Sequence, residues 1–185
     1  MRAVFATVAI AALVSGCMPR QSIGPVALDA LLSFEDPALC NLSPETARFL
    51  QAMVAIDPDA VVDPDRHLRV GQIAAPAPLI RVFDKVEMTR HDGWTSFAVR
   101  TSGTMLGLPL YAIHQTYPEG GDPGEFSFEF AAPVAAVFST LRNNGFPVEI
   151  DNDVSLGEPD GYERIVSLQE SPDAPQRSLL TCGYR

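Results

Sequence analysis

Cysteine, basic side chains and long apolar runs are all scarce in this sequence, and each shortage excludes something. Only three cysteines occur in 185 residues: Cys17, Cys40 and Cys182. The chain is therefore no disulfide-dominated miniature, and the spacing fits neither CxxC nor any zinc pattern. Lys and Arg number 13 against 23 Asp and Glu, for a formal charge of −10 at pH 7. Such a surface repels nucleic acid and anionic head groups, so neither is expected as a partner. No apolar run reaches the ~18 residues of a membrane-spanning candidate. G-x-S-x-G, P-loop, G-x-G-x-x-G and HExxH motifs are missing too, as are repeats, coiled coils and low-complexity tracts, so no cofactor is expected.

What is present starts at the amino terminus. Arg2 precedes an apolar stretch, Val4 to Val14 (VFATVAIAALV), in the manner of a secretory signal too short to persist as a span. Ala9, Ile10 and Ala11 offer an ordinary cleavage site, but a cut there leaves an apolar region near the lower limit of ~7 residues. The stretch ends in Leu13, Val14, Ser15, Gly16 and Cys17. These residues resemble the lipobox of bacterial lipoprotein precursors, and the resemblance covers the signal and stops at Cys17. It implies diacylglyceryl transfer to the Cys17 sulfur, cleavage before it, and acylation of the new amino terminus by a fatty acid such as palmitate. One chain anchors reversibly at ~0.8 kcal/mol per buried methylene, so several acyl chains hold durably. Met18 takes the place of the Asp that retains such proteins in the inner membrane. The resemblance thus favours the periplasmic face of the bacterial outer membrane, with the bilayer held through acylated Cys17.

The expected organisation is a signal peptide over 1–16, a lipidated tether over 17–24, and a single α+β periplasmic domain over 25–185. Removing 1–16 leaves 12 basic and 23 acidic side chains, a charge of −11. With Cys17 acylated, Cys40 and Cys182 are a residual pair that an oxidising compartment is expected to join. The closed loop, of more than a hundred residues, would contribute ~4 to 5 kcal/mol in the chain-entropy model. Two separately buried thiols are the alternative.

Along the body, Leu28, Leu31 and Leu32 predict a helix over 25–34. Ser43, Pro44 and Glu45 open a second, whose apolar face runs from Phe49 to Ile56 and stops at Asp57-Pro58. After the Asp-Pro-Asp loop of 57–65 comes a short strand over 67–73. Segments 80–90, 94–101, 104–117 and 125–131 then predict a four-strand antiparallel meander, turned at Asp92-Gly93, at Ser102-Gly103 and in 119–124. Pro109 marks an edge, a bulge or a break. In 124–130 (GEFSFEF), Phe126, Phe128 and Phe130 alternate with Glu125, Ser127 and Glu129, predicting one buried and one wet face. A helix from Pro133 to Asn143 carries Val134, Val137, Phe138 and Leu141 towards that phenylalanine face. Strands over 148–150, 162–170 and 177–184 follow. The expected class is α+β: an antiparallel sheet built on the meander, with two or three helices packed mainly on one face.

Candidate chemistry is sparse. Asp151, Asp153 and Ser155 alternate as calcium ligands do, but Leu156 stands where the EF-hand loop has glycine and Tyr162 where it has a bidentate Glu, and turn chemistry accounts for the loop as well. Asp57, Asp59, Asp63 and Asp65 read as turns on a solvated loop. Of the histidines, His67 has no ligand partner and His91 sits in a turn. Alternation puts His114 on an apolar face with Leu106, Leu108, Leu110 and Ala112, where a lone imidazole is usually a satisfied core residue. Asp84 interrupts an apolar alternation; were it to meet His114, the two could serve as an acid/base pair for a hydrolase. Trp94, Tyr111 and Tyr117 could line a binding surface or simply pack.

Three functions stand open. The first is a non-catalytic envelope lipoprotein that binds another envelope protein or fills a structural role. The others are a small-ligand or metal-binding lipoprotein and a hydrolase using His114 and Asp84. An interaction module requires an exposed apolar patch, a carrier a pocket of ~300 Å³ or more, and an enzyme paired reactive groups.

Overall fold

The computed structural model describes residues 24–56, 68–118, 124–158, 161–172 and 174–184. Cys17 with the signal and most of the tether, the Asp57, Asp59, Asp63 and Asp65 set, and His67 fall outside the described residues.

The body is mostly β, with 51% strand against 19% helix, which overturns the α+β expectation of a four-strand meander. In chain order the strands are β1 (Val26–Ala27), β2 (Phe34–Asp36), β3 (Asn41–Leu42), β4 (Val54–Ile56), β5 (Leu68–Val70), β6 (Glu87–His91) and β7 (Trp94–Arg100). They continue with β8 (Gly103–Met105), β9 (Leu108–Pro118), β10 (Glu125–Phe130), β11 (Asp153–Ser155), β12 (Arg164–Ser171) and β13 (Ala174–Tyr184). Helices are α1 (Pro44–Met53), the single turn α2 (Ala77–Ile80) and α3 (Val134–Asn143). Nine strands form one mixed sheet. Strand β10 lies between β9 and β13, β12 and β11 follow outward from β13, and β7 carries β6 on its far side. Strand β1 pairs in parallel with β8; the other pairings in this sheet are antiparallel.

Turn chemistry explains part of the departure. Asp92 and Gly93 both have positive φ and close the β6–β7 hairpin, as their sequence predicts. Ser102-Gly103 makes no hairpin. The chain turns at Leu106-Gly107, with φ of 53° and 75°, and Asp29 Oδ1 accepts from the Leu106 N–H at 2.6 Å. The expected strand over 104–117 is therefore two strands. Opposite Glu129 and Phe130 stand Ala112 and Leu110, so Tyr111 is the extra residue of a bulge, two residues past Pro109. The predicted helix over 25–34 shrinks to one turn, in which the Leu31 and Leu32 N–H groups donate to the Leu28 carbonyl. Leu28, Leu31 and Leu32 are buried even so. Pairing of β1 with β8 commits the preceding backbone to extended geometry, and a two-residue strand leaves no periodic signal to read.

Both longer helices follow their end signals. Ser43 Oγ accepts from the Thr46 N–H and Pro44 occupies the first turn of α1. That helix ends at Met53, because Val54–Ile56 pairs with Leu68–Val70 instead of continuing the helix. At the end of α3, Gly145 has φ of 90°, the Phe146 N–H reaches the Leu141 carbonyl and the Gly145 N–H reaches Arg142, which is the Schellman arrangement. Val137 and Leu141 bury against the phenylalanine face of the sheet with Phe128, Phe130, Leu168 and Leu180. Phe34 bridges this layer to the amino-terminal segment, with its ring 4.7 Å from that of Phe146. Cys40 and Cys182 form a disulfide across a sequence separation of 142, joining that segment to β13. Among the described residues, no helix is long and apolar enough to cross a membrane.

Candidate functional site

The second face of the sheet is covered by none of the described helices and carries polar side chains. Register sets its composition: Ser127 opposes His114 and Thr181, Glu129 opposes Ala112 and Leu179, and Ala98 opposes His114 and Glu87. Hydroxyl pairs tie neighbouring strands together, Ser127 to Thr181 at 2.9 Å and Ser96 to Thr116 at 3.2 Å.

At its centre, Glu129 is only 5% exposed, contrary to the wet face that alternation predicts. Three groups make that burial tolerable. Ser171 Oγ donates to Oε1 at 2.7 Å, Arg177 Nη1 forms an ion pair with the same oxygen at 3.0 Å, and His114 Nε2 stands 3.3 Å from Oε2. Charged and neutral partners on its oxygens replace the contacts with water that burial removes. Since a carboxylate oxygen only accepts, the His114 contact selects the tautomer with its proton on Nε2. Arg177 also sits over Tyr111, its guanidinium carbon 3.9 Å from the ring centre, while Arg100 approaches the same ring at 5.9 Å.

Two hollows flank this cluster. One, of about 240 Å³, is lined by Glu87, Arg100, Tyr111, His114, Glu129 and Arg177, with Ala98 and Ala112 as its floor. The other, of about 180 Å³, lies towards Glu125, Ser127, Ser171 and Pro172. Burial raises the Glu125 carboxyl above its ordinary range, and burial likewise raises Tyr117. A third hollow, of about 390 Å³, lies away from the polar face between α1 and the segment Ile73 to Pro76, where Leu31, Ile73, Ala75 and Leu79 line it below Glu45 and Arg48. Beyond Ile73 an open hollow of about 440 Å³ takes in the exposed Val70 and Ile80.

The sequence candidates are distributed as follows. His114 is on the polar face, not the apolar one, because the bulge at Tyr111 reverses which side each later residue takes; it is a satisfied residue, and its partner is Glu129. Asp84 is exposed, with its N–H bonded to the Arg100 carbonyl, so the His114–Asp84 pair is not formed. His91 is exposed beside Asp92 at 2.9 Å. Asp153 and Ser155 lie in β11, paired with β12, while Asp151 takes a left-handed turn conformation, so the calcium-loop arrangement does not occur. No group of three or more His, Cys, Asp or Glu suited to a metal occurs among the described residues. Tyr111 belongs to the site, Tyr117 packs edge-on to Phe97 in the core, and Trp94 is exposed at a strand end. Glu129, Ser171, Arg177 and Arg100 escape sequence reasoning, since strand neighbours 48 residues apart, such as Glu129 and Arg177, leave no local pattern. No family model, curated protein or solved structure matches the chain.

Proposed function

We propose that the chain is a lipoprotein held in the bacterial outer membrane by acylated Cys17, and that its periplasmic body binds another envelope protein without catalysing a reaction. In place of the apolar patch expected of such a module, the observation that carries this reading is the polar sheet face: a cluster of hydrogen bonds and an ion pair beside shallow open hollows, in which the hydroxyl held against a carboxylate, that of Ser171 against Glu129, is buried. Glu129 has both oxygens engaged by Ser171, Arg177 and His114, so it supports a shape to be recognised better than it supports proton transfer. The Cys40–Cys182 disulfide supports the compartment, because such bridges persist where thiols meet an oxidising machinery. Tethering adds effective concentration for partners anchored nearby.

The test is site-specific photocrosslinking in intact cells, with the probe at Ala98 on the polar face or at Ser139 on the outer side of α3. The expected result is one discrete crosslinked envelope protein from position 98 and none from position 139. The mass of the amino-terminal peptide from the same sample should correspond to an acylated Cys17. Equal labelling from both positions, or an unmodified Cys17 behind an intact leader, would overturn the reading.

A second reading, a carrier of a small apolar ligand, is favoured by the 390 Å³ hollow beside α1, which falls within the ~300 to 1,000 Å³ of small-molecule sites. Saturable displacement of an apolar fluorescent dye from the wild type, lost on Leu79→Glu, would support it.

A further inference from the structure

We infer that the hollow floored by Ala98 and Ala112 is a binding site for one carboxylate group, held by Arg100 together with the outward edge of Arg177. Two guanidinium groups converge there on one tyrosine ring, at 3.9 and 5.9 Å. Bringing like charges together costs free energy unless an anion lies between or beside them. Glu129 neutralises Arg177 at 3.0 Å. The Arg100 side chain makes no hydrogen bond or ion pair with any described residue; its guanidinium meets the face of Tyr111. On a chain of net charge −10, a cation left in a hollow beside a second cation stands apart from the surrounding field, and it is the residue best placed to receive an incoming negative charge.

Size and charge narrow the ligand. About 240 Å³ falls below the ~300 to 1,000 Å³ of whole small-molecule sites, so the hollow accommodates a terminal group or a single side chain. Glu87 and Glu129 both line it, and their charge disfavours a dianionic phosphate while leaving room for a monoanion. A guanidinium presents its N–H groups in a planar fork that matches a carboxylate. Two sources carry that chemistry, a free small carboxylate and the carboxylate of a peptide. Carboxylate binding is read out separately from the acyl mass on Cys17 and from crosslinks at Ala98, so its failure is distinguishable from failure of the lipoprotein reading.

The experiment is NMR on the full chain labelled with ¹⁵N-arginine, following the Arg100 and Arg177 Nε–H signals during titration with sodium acetate, sodium chloride, inorganic phosphate, and a pentapeptide with either a free or an amidated carboxyl terminus. Acetate is expected to shift both signals saturably, while chloride at equal ionic strength gives only the small linear drift of screening. Arg100→Gln, an exposed change that leaves the Glu129 cluster intact, should weaken acetate by about tenfold, and Glu87→Gln should tighten it by about threefold, as removal of a nearby like charge requires. A free-terminus peptide binding at least about tenfold tighter than acetate, with the amidated form silent, identifies a peptide as the source. Acetate and peptide of equal strength identify a free carboxylate. Absence of saturation by acetate, a response matched by chloride, tighter binding of phosphate than of acetate, or an Arg100→Gln protein that binds as the wild type does would each overturn the assignment.

Discussion

Replacing both Cys40 and Cys182 by alanine should remove about a third or more of the stability of this domain. The bridge spans 142 residues, and the chain-entropy relation converts a loop of that length into ~17 cal/mol/K, or ~5 kcal/mol at 25 °C. Ordinary domains are stable by about 5 to 15 kcal/mol, so the loss is large on that scale. Native geometry should hardly change, because Cys182 sits in the interior of β13, paired through Phe126 and Val166 on either side by backbone hydrogen bonds that the substitution leaves alone. The effect therefore belongs mainly to the unfolded chain. Urea denaturation of the oxidised wild type and of the double variant measures it, and two signs are expected together: a lower midpoint and a steeper dependence on urea, since an unbridged unfolded chain exposes more surface. A loss below about 1 kcal/mol with an unchanged slope would refute the loop-closure reasoning. So would a loss that lies wholly in the unfolding rate, which would trace the bridge's effect to native contacts.

Glu129→Ala should cost about 2 to 4 kcal/mol, because it strands Arg177 and Ser171 around a buried void, whereas Glu129→Gln should cost less by keeping an acceptor for Ser171; thermal or urea midpoints of the two variants check the order. Gly71→Ala should destabilise by about 3 kcal/mol or prevent folding, since the added methyl would fall 2.1 Å from the Ala52 carbonyl oxygen, a backbone atom with nowhere to go. Glu125→Gln should raise the midpoint at neutral pH. Burial raises the folded-state pKa of Glu125 above its unfolded value, so its stabilising contribution is complete below the ordinary carboxylate range and declines as pH rises through the folded value. The gap between variant and wild type should therefore close as pH falls to about 4, and a gap that widened on acidification would contradict this sign.

The sequence announced structure wherever the determinant was local. Ser43-Pro44 began α1, Asn144-Gly145 ended α3, Asp92-Gly93 turned β6 into β7, and the cysteine count led to the Cys40–Cys182 bridge. It was silent where the determinant was a distant strand. Nothing near Phe126 reveals that β13 would lie alongside β10, and without that neighbour Glu129 reads as a wet residue instead of the buried partner of Arg177. The error at His114 came from one extra residue, Tyr111, because a single bulge exchanges the two sides of a strand for every position beyond it. Asp84 is no partner for a different reason: the alternation within 80–90 predicts a strand, while the strand itself begins only at Glu87.

The route from the amino-terminal end into the sheet has a mechanical consequence. A pull applied there meets first the two-residue pairing of β1, a weak seam that can peel open, and then the segment leading to Cys40. Drawn straight, Gly24 to Cys40 pays out at most ~55 Å of slack. At that point the bridge to Cys182 takes up the strain and passes it to β13, flanked by β10 and β12 in the middle of the sheet. Such a pull is thus resisted by a covalent stop, and the strands that shape the polar face stay aligned while the leading edge unravels.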